Sequence, residues 1–148
     1  MSHQAHKSWL LISAIVVGSF GPIFFLGTML PTSGLARWSL DLLSWPLDGA
    51  QIYAEPTTRF LSALTGGFLL GWGVMIWCLR RWAYDAAPEG VRKSSLFGVL
   101  AWFLLDSVGS VTSGNAPNVL FNILILLLVV GPMWFPAKPN RTVSVSAT

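Results

Sequence analysis

Residues 95–135 read SLFGVLAWFLLDSVGSVTSGNAPNVLFNILILLLVVGPMWF. Two apolar runs, 95–113 and 119–135, flank Gly114-Asn115-Ala116-Pro117, a tetrapeptide built from turn formers. A connection this short joins antiparallel neighbours, so the stretch is a helical hairpin. Residues 123–130 are apolar without a break, which points to hydrocarbon rather than water as their surroundings. The hairpin therefore supplies two of the spans of a membrane bundle.

Working outward, residues 60–79 form another apolar run, entered through Glu55-Pro56-Thr57-Thr58-Arg59 and closed by Arg80-Arg81. Residues 9–30 carry no charge and exceed the roughly 20 apolar residues that a spanning helix needs. Their apolar length is greater than that of a signal-peptide core and no small-residue cleavage site follows, so they are read as a retained first span. A kink is expected at Gly21-Pro22. The fold class is thus all-α: an integral membrane bundle of four helices, spanning at about 9–30, 60–79, 95–113 and 119–135. Residues 1–136 are one transmembrane domain and 137–148 a flexible polar tail.

Composition agrees. Of the 148 residues, 53% are hydrophobic and 10% charged, with a mean hydropathy of +0.63. A soluble domain carries about 25% charged residues. The net charge of +3 is spread along the chain and gives no reason to expect a nucleic-acid partner. The single cysteine, Cys78, excludes an internal disulfide, a paired-cysteine redox motif and a thiolate metal cage. His3 and His6 are both assigned to an N-terminal tail, so no span offers an imidazole to haem, and no metal site is expected.

Lysine and arginine counts set an orientation. With the ends and the 80–94 loop on one side, that side holds Lys7, Arg80, Arg81, Arg92, Lys93, Lys138 and Arg141, against Arg37 and Arg59 on the other. The positive-inside rule then places both termini in the cytoplasm. Trp9, Trp82 and Trp134 are expected at the inner interface and Trp38 and Trp45 at the outer one, where an amphipathic ring is stable. Between the first two spans, Leu35, Trp38, Leu42 and Trp45 recur at helical spacing, opposite Arg37, Asp41 and Ser44, and Pro46 closes the run. A short amphipathic helix in the outer interface is predicted there.

Asp106 is the group with chemical potential. A carboxylate near the middle of a spanning helix costs at least about 2.5–3.5 kcal/mol to insert, so it should face the bundle and find a partner or a proton. Ser110 and Ser113 continue its face, and Asn118 and Asn122 share a face of the next helix. Counting about 1.5 Å per residue from the turn puts Asn122 level with Ser110 and Asp106 one turn deeper. Arg59 opens its helix from the same side, with a stem long enough to lean inward. Asp106, Ser110, Asn118, Asn122 and Arg59 are therefore expected to form one polar pocket. Three readings stay open for it: interhelical glue, a site for the polar head of an apolar ligand such as a quinone or lipid, or a proton or cation carrier.

Ala63, Gly67 and Gly71 form a small-residue stripe that is expected to let a helix approach closely, from the bundle or from another chain. Glu55 and Arg59, four apart, are expected to form an interfacial ion pair. No HExxH, nucleophile elbow, paired intramembrane acids or Cys-x-x-Cys is present in the sequence, so a self-contained active site is not expected and no cofactor is named.

Glu55 and Arg59 leading into Ala63-Leu64-Thr65-Gly66-Gly67-Phe68-Leu69-Leu70-Gly71, followed by Asp106 with Gly109 and Asn118 with Asn122, resemble the DoxX-like superfamily of small four-span bacterial membrane proteins, in particular its BphX-like branch. The likeness covers about half the chain. The long tryptophan-bearing loop before Glu55 departs from the compact form of that group. The resemblance implies a bacterial inner membrane and an association with membrane oxidoreductase systems and quinones. The expectation is a non-catalytic membrane protein: an accessory or assembly subunit of a larger complex, or a binder of a lipid- or quinone-like ligand. The alternative is a small oligomeric proton-linked transporter using Asp106. Its partners are the lipid bilayer and other membrane subunits or further copies of itself.

Overall fold

The structure, a computed structural model, describes residues 2–136; the polar tail expected at 137–148 lies outside them. Five α-helices follow one another: α1 (His3–Leu26), α2 (Gly34–Ser44), α3 (Pro56–Cys78), α4 (Pro88–Thr112) and α5 (Asn118–Val130), with no strand among the described residues. By length and composition α1, α4, and α3 together with its continuation to Ala83 are long and apolar enough to cross a membrane.

Each boundary has a local cause. The hydroxyl of Ser2 accepts the Ala5 N–H at 3.2 Å and starts α1 ahead of the expected span. His3 and His6 are consequently helical, and His6 is fully buried. Prolines occupy the first helical position of α3 and α4, where the missing N–H has no partner to lose. One π turn, Leu79–Ala83, continues α3 and closes with the Tyr84 N–H on the Leu79 carbonyl at 2.9 Å. It sets Trp77 against Trp82 edge to face, 5.9 Å apart.

The fourth expected span is interrupted. The α-helical part of α5 has 13 residues, about 20 Å at 1.5 Å per residue. Gly131, at φ +41°, and Pro132 then turn the chain into a 3₁₀ segment, Gly131–Trp134. Pro132 has no N–H for the Leu128 carbonyl, and the last turn of any helix leaves further carbonyls unpaired. Side chains from other helices take them. Trp9 donates to Leu128 O at 3.0 Å, Ser13 to Val129 O at 2.7 Å and Arg92 to Met133 O at 2.7 Å, and His6 adds a second donor at 3.1 Å to Pro132 O, which also accepts the Phe135 N–H. Trp9, half-buried, is therefore a capping donor at this end of the bundle, where Trp82 and Trp134 are exposed, as Trp38 and Trp45 are at the other.

Helix α3 lies on α1, α4 lies on α5, and α1 also meets α5; α3 approaches α4 chiefly through the π turn. The α1–α3 contact is glycine-mediated. A Cβ on Gly73 would stand 2.6 Å from Gly18 Cα, and one on Gly66 would stand 2.8 Å from Gly21 O. This moves the close approach by one register: Gly67 and Gly71 are exposed and meet nothing within 4 Å, and Ala63 is half-buried. Positions 66 and 73 are seven apart and share the α1-facing side, so the close approach within the bundle runs through them, while Gly67 and Gly71 stay open to the outside, the side from which another chain would come.

The loop helix forms at α2, and it stops before Pro46 as expected. Its Leu35, Trp38 and Trp45 face is exposed, while Ala36 and Ser39 are buried and Leu40 packs with Phe24 and Tyr53. Asp41, assigned to a polar outer side, is instead buried and accepts the Gly49 N–H at 3.0 Å, fastening the loop behind it. Glu55 and Arg59 form no side-chain ion pair; the Arg59 N–H donates to the Glu55 carbonyl at 3.2 Å.

Candidate functional site

Because α3 is drawn onto α1 by glycines while α4 is held by α5, the space between the two pairs is not closed. It is a cavity of about 450 Å³. Val16, Val17, Phe20, Leu69, Trp72, Val99, Trp102, Ile125 and Val129 make its apolar walls. Leu40 and Leu43 of α2, with Tyr53, border it on the loop side. The polar end is Asp106, Asn115, Asn118 and Asn122, and Thr58, Ser62 and Thr65 contribute hydroxyls from α3.

Within that end, Asn118 Nδ2 donates to Asp106 Oδ2 at 3.0 Å and to Ser110 Oγ at 2.9 Å. Asn122 Nδ2 donates to Asp106 Oδ2 at 2.7 Å and to Ser107 Oγ at 3.2 Å. Ser110 donates to the Asp106 carbonyl at 2.7 Å, the usual way for a serine to satisfy itself within a helix. The pairs fall symmetrically about Gly114, whose φ of +81° makes the turn. Asn118 is thus opposite Ser110, and Asn122 reaches Asp106 itself rather than Ser110. The helices run almost to the turn, so the register is one helical turn tighter than counting from 114–117 implied.

Two oxygens remain without partners. Asp106 Oδ1 accepts no hydrogen bond among the described residues, and Asn118 Oδ1 is buried with none. No described cation lies within ion-pair distance of Asp106. Arg59, expected in this pocket, does not line it, and its Nε is buried without a partner. It shares the α1-facing side of α3 with Gly66 and Gly73, and its neighbour Thr58 faces the cavity instead. Ser113 lies outside the cavity, on a shallow groove along α4 shared with Trp102, Leu105, Gly109 and Ser110. Asp106 borders both spaces.

The α3 contribution was not anticipated. Thr58, Ser62, Thr65, Leu69 and Trp72 are three or four apart, one helical face with hydroxyls at one end and an indole at the other. That mixed pattern was readable, but its small hydroxyl residues gave no cost comparable to a buried carboxylate. Ser107 carries an equally weak signal in the sequence. Trp72 and Trp102 face each other across the bundle with ring centroids 6.2 Å apart.

The opposite end of the bundle carries a second polar cluster. Asp85 accepts from Lys7 and, at 2.8 Å, from His3, tying the start of α1 to the loop before α4. The Lys7 hydrogen bond, reinforced by His3, holds the Asp85 carboxyl below its usual range. Burial pushes the neighbouring Tyr84 phenol up. Among the described residues no group of three metal-ligating side chains comes together. No protein-family model, curated protein or solved structure matches the chain.

Proposed function

We propose that this chain is a non-catalytic, four-span integral membrane protein that binds an apolar, lipid- or quinone-like ligand with its polar head at Asp106, and that it serves as an accessory or assembly subunit of a larger membrane complex. The observation that carries the reading is the cavity: its walls are hydrocarbon and indole, and its polar groups are gathered at one end. Pockets of 300–1,000 Å³ with a few convergent polar groups are the usual form of a small-molecule site.

The exposed surface supports the membrane setting. Phe68, Leu105, Ile52 and Phe97 are each at least 66% exposed, an outward display of large apolar side chains that suits lipid better than water. With α5 counted through Trp134, a fourth crossing of about 27 Å is within reach of the hydrocarbon thickness. Lys7, Arg80, Arg81, Arg92 and Lys93 gather at one end, which supports cytoplasmic termini. The bacterial inner membrane rests on the DoxX-like resemblance.

Hydrophobic photolabelling tests the binding reading. The protein in neutral maltoside micelles is irradiated with a diazirine-bearing alkane and the modified residues are mapped. Modification of Val99, Ile125 and Val129, saturating with probe, supports it. Modification confined to outward residues such as Phe97 and Leu105 refutes it.

A second reading, a proton-linked carrier, draws on one observation: Asp106 borders both the internal cavity and the lateral groove. It requires pH-dependent solute flux in proteoliposomes that Asp106→Asn abolishes.

A further inference from the structure

We infer that the head group taken by this cavity is an ammonium cation, so that the ligand is a cationic amphiphile rather than a quinone or a fatty acid. The inference rests on the binding reading above and narrows it. It follows from a count of donors and acceptors at the polar end. Asn118 and Asn122, the two amides bonded to Asp106, have four N–H groups, and these go to Asp106 Oδ2 twice, to Ser107 and to Ser110. Nothing remains on either amide to donate to a quinone carbonyl or a carboxylate. What Asp106 and these two amides have left is acceptors: Asp106 Oδ1, and the buried carbonyl oxygen of Asn118; the other donors at this end, Asn115 and the hydroxyls of Thr58 and Thr65, stand outside that network.

No cationic side chain among the described residues lies within ion-pair distance of Asp106, and a carboxyl group in an apolar setting gains from a charge partner. An ammonium head supplies the missing cation and brings N–H donors to an end where these two oxygens have none. At those two oxygens a quinone carbonyl would meet acceptor against acceptor, and a fatty acid would bring a second carboxyl group to the first.

The test is protection of the cavity from photolabelling. Dodecylamine, dodecanol, dodecanoate and an alkyl-benzoquinone are titrated against the diazirine alkane on the wild type and on Asp106→Asn, in maltoside micelles at neutral pH. Micelle partitioning is common to both proteins and cancels in the comparison. Hydrogen bonds to a charged partner support about a tenfold preference, so dodecylamine should half-protect Val99 and Ile125 at about one tenth the dodecanol concentration. In Asp106→Asn the two should converge, with alkane labelling of Val99 and Ile125 retained as the sign of an intact cavity. If that variant loses its cavity labelling, Asn118→Leu replaces it, and the amine preference should narrow there too. Equal protection by amine and alcohol in the wild type, or stronger protection by the quinone, overturns the ammonium assignment while leaving the cavity reading in place. Cavity labelling that none of the four compounds reduces overturns both.

Discussion

At Asp106, one carboxylate oxygen gathers two amide donors from the facing helix, and those donors have nowhere else to go. In Asp106→Leu the amides of Asn118 and Asn122 keep only their serine contacts, and the hairpin should lose about 1–2 kcal/mol, the range for polar contacts between membrane helices. Reversible unfolding in micelles reads this directly, and a loss below a few tenths would mean the contacts are not formed. Trp9 makes a parallel case at the other end. Trp9→Phe keeps the ring but strands the Leu128 carbonyl that Pro132 already deprives of its helical donor, at a cost of about 1–3 kcal/mol. Trp9→His, which can keep an N–H, should recover part of it. Asp106 was legible in the sequence because a lone acid in an apolar run is expensive. The capping role of Trp9 was not, because it depends on which residue 119 positions away comes to rest beside it.

Among the elements, the α1–α3 pair is the tightest, and its tightness is a backbone property. Gly73→Val would place side-chain carbon where Gly18 and the Ala14 carbonyl now stand, forcing the helices apart at about 1–3 kcal/mol or more. Gly67→Ala and Gly71→Ala should leave thermal stability unchanged, since both positions open outward. A reversed order would restore the register first read from the sequence. That reading recognised a glycine-rich packing helix but not its phase, because Gly66, Gly67, Gly71 and Gly73 offer two stripes about 100° apart. The choice is made by Gly18 and Gly21 on the partner helix. Similarly, the periodicity of 35–45 revealed a helix but not which side of it would pack. The outward-facing side is the one carrying tryptophans, and the small residues Ala36 and Ser39 allow the inner side to lie close to Gly27 and Tyr53.

For the whole molecule, the α3–α4 loop is fastened to the N-terminus through an exposed carboxylate, and this gives stability a pH dependence. The folded-state pKa of Asp85 is lowered by Lys7 and then by His3. The contribution is therefore complete above the ordinary carboxylate range and is lost as pH falls below about 4. Thermal melts at pH 7 and pH 3 should differ more for the wild type than for Asp85→Asn; equal differences would leave the tie without energetic weight. The long helices and the hairpin were legible because hydrophobic length is a local property. The cavity was not, since it arises from α3 and α4 being drawn to different partners, a consequence of the whole packing.

That cavity is the centre of the account, and its natural occupant is the direct test. Native mass spectrometry of the protein, extracted gently from its own membrane at natural abundance, weighs whatever the chain holds. The account predicts a small amphiphile of one defined mass, about one per chain, retained by the wild type and reduced in Asp106→Asn, together with larger membrane subunits in fixed stoichiometry. A chain that emerges bare, or that carries only a scatter of bulk lipids indifferent to Asp106, would contradict it.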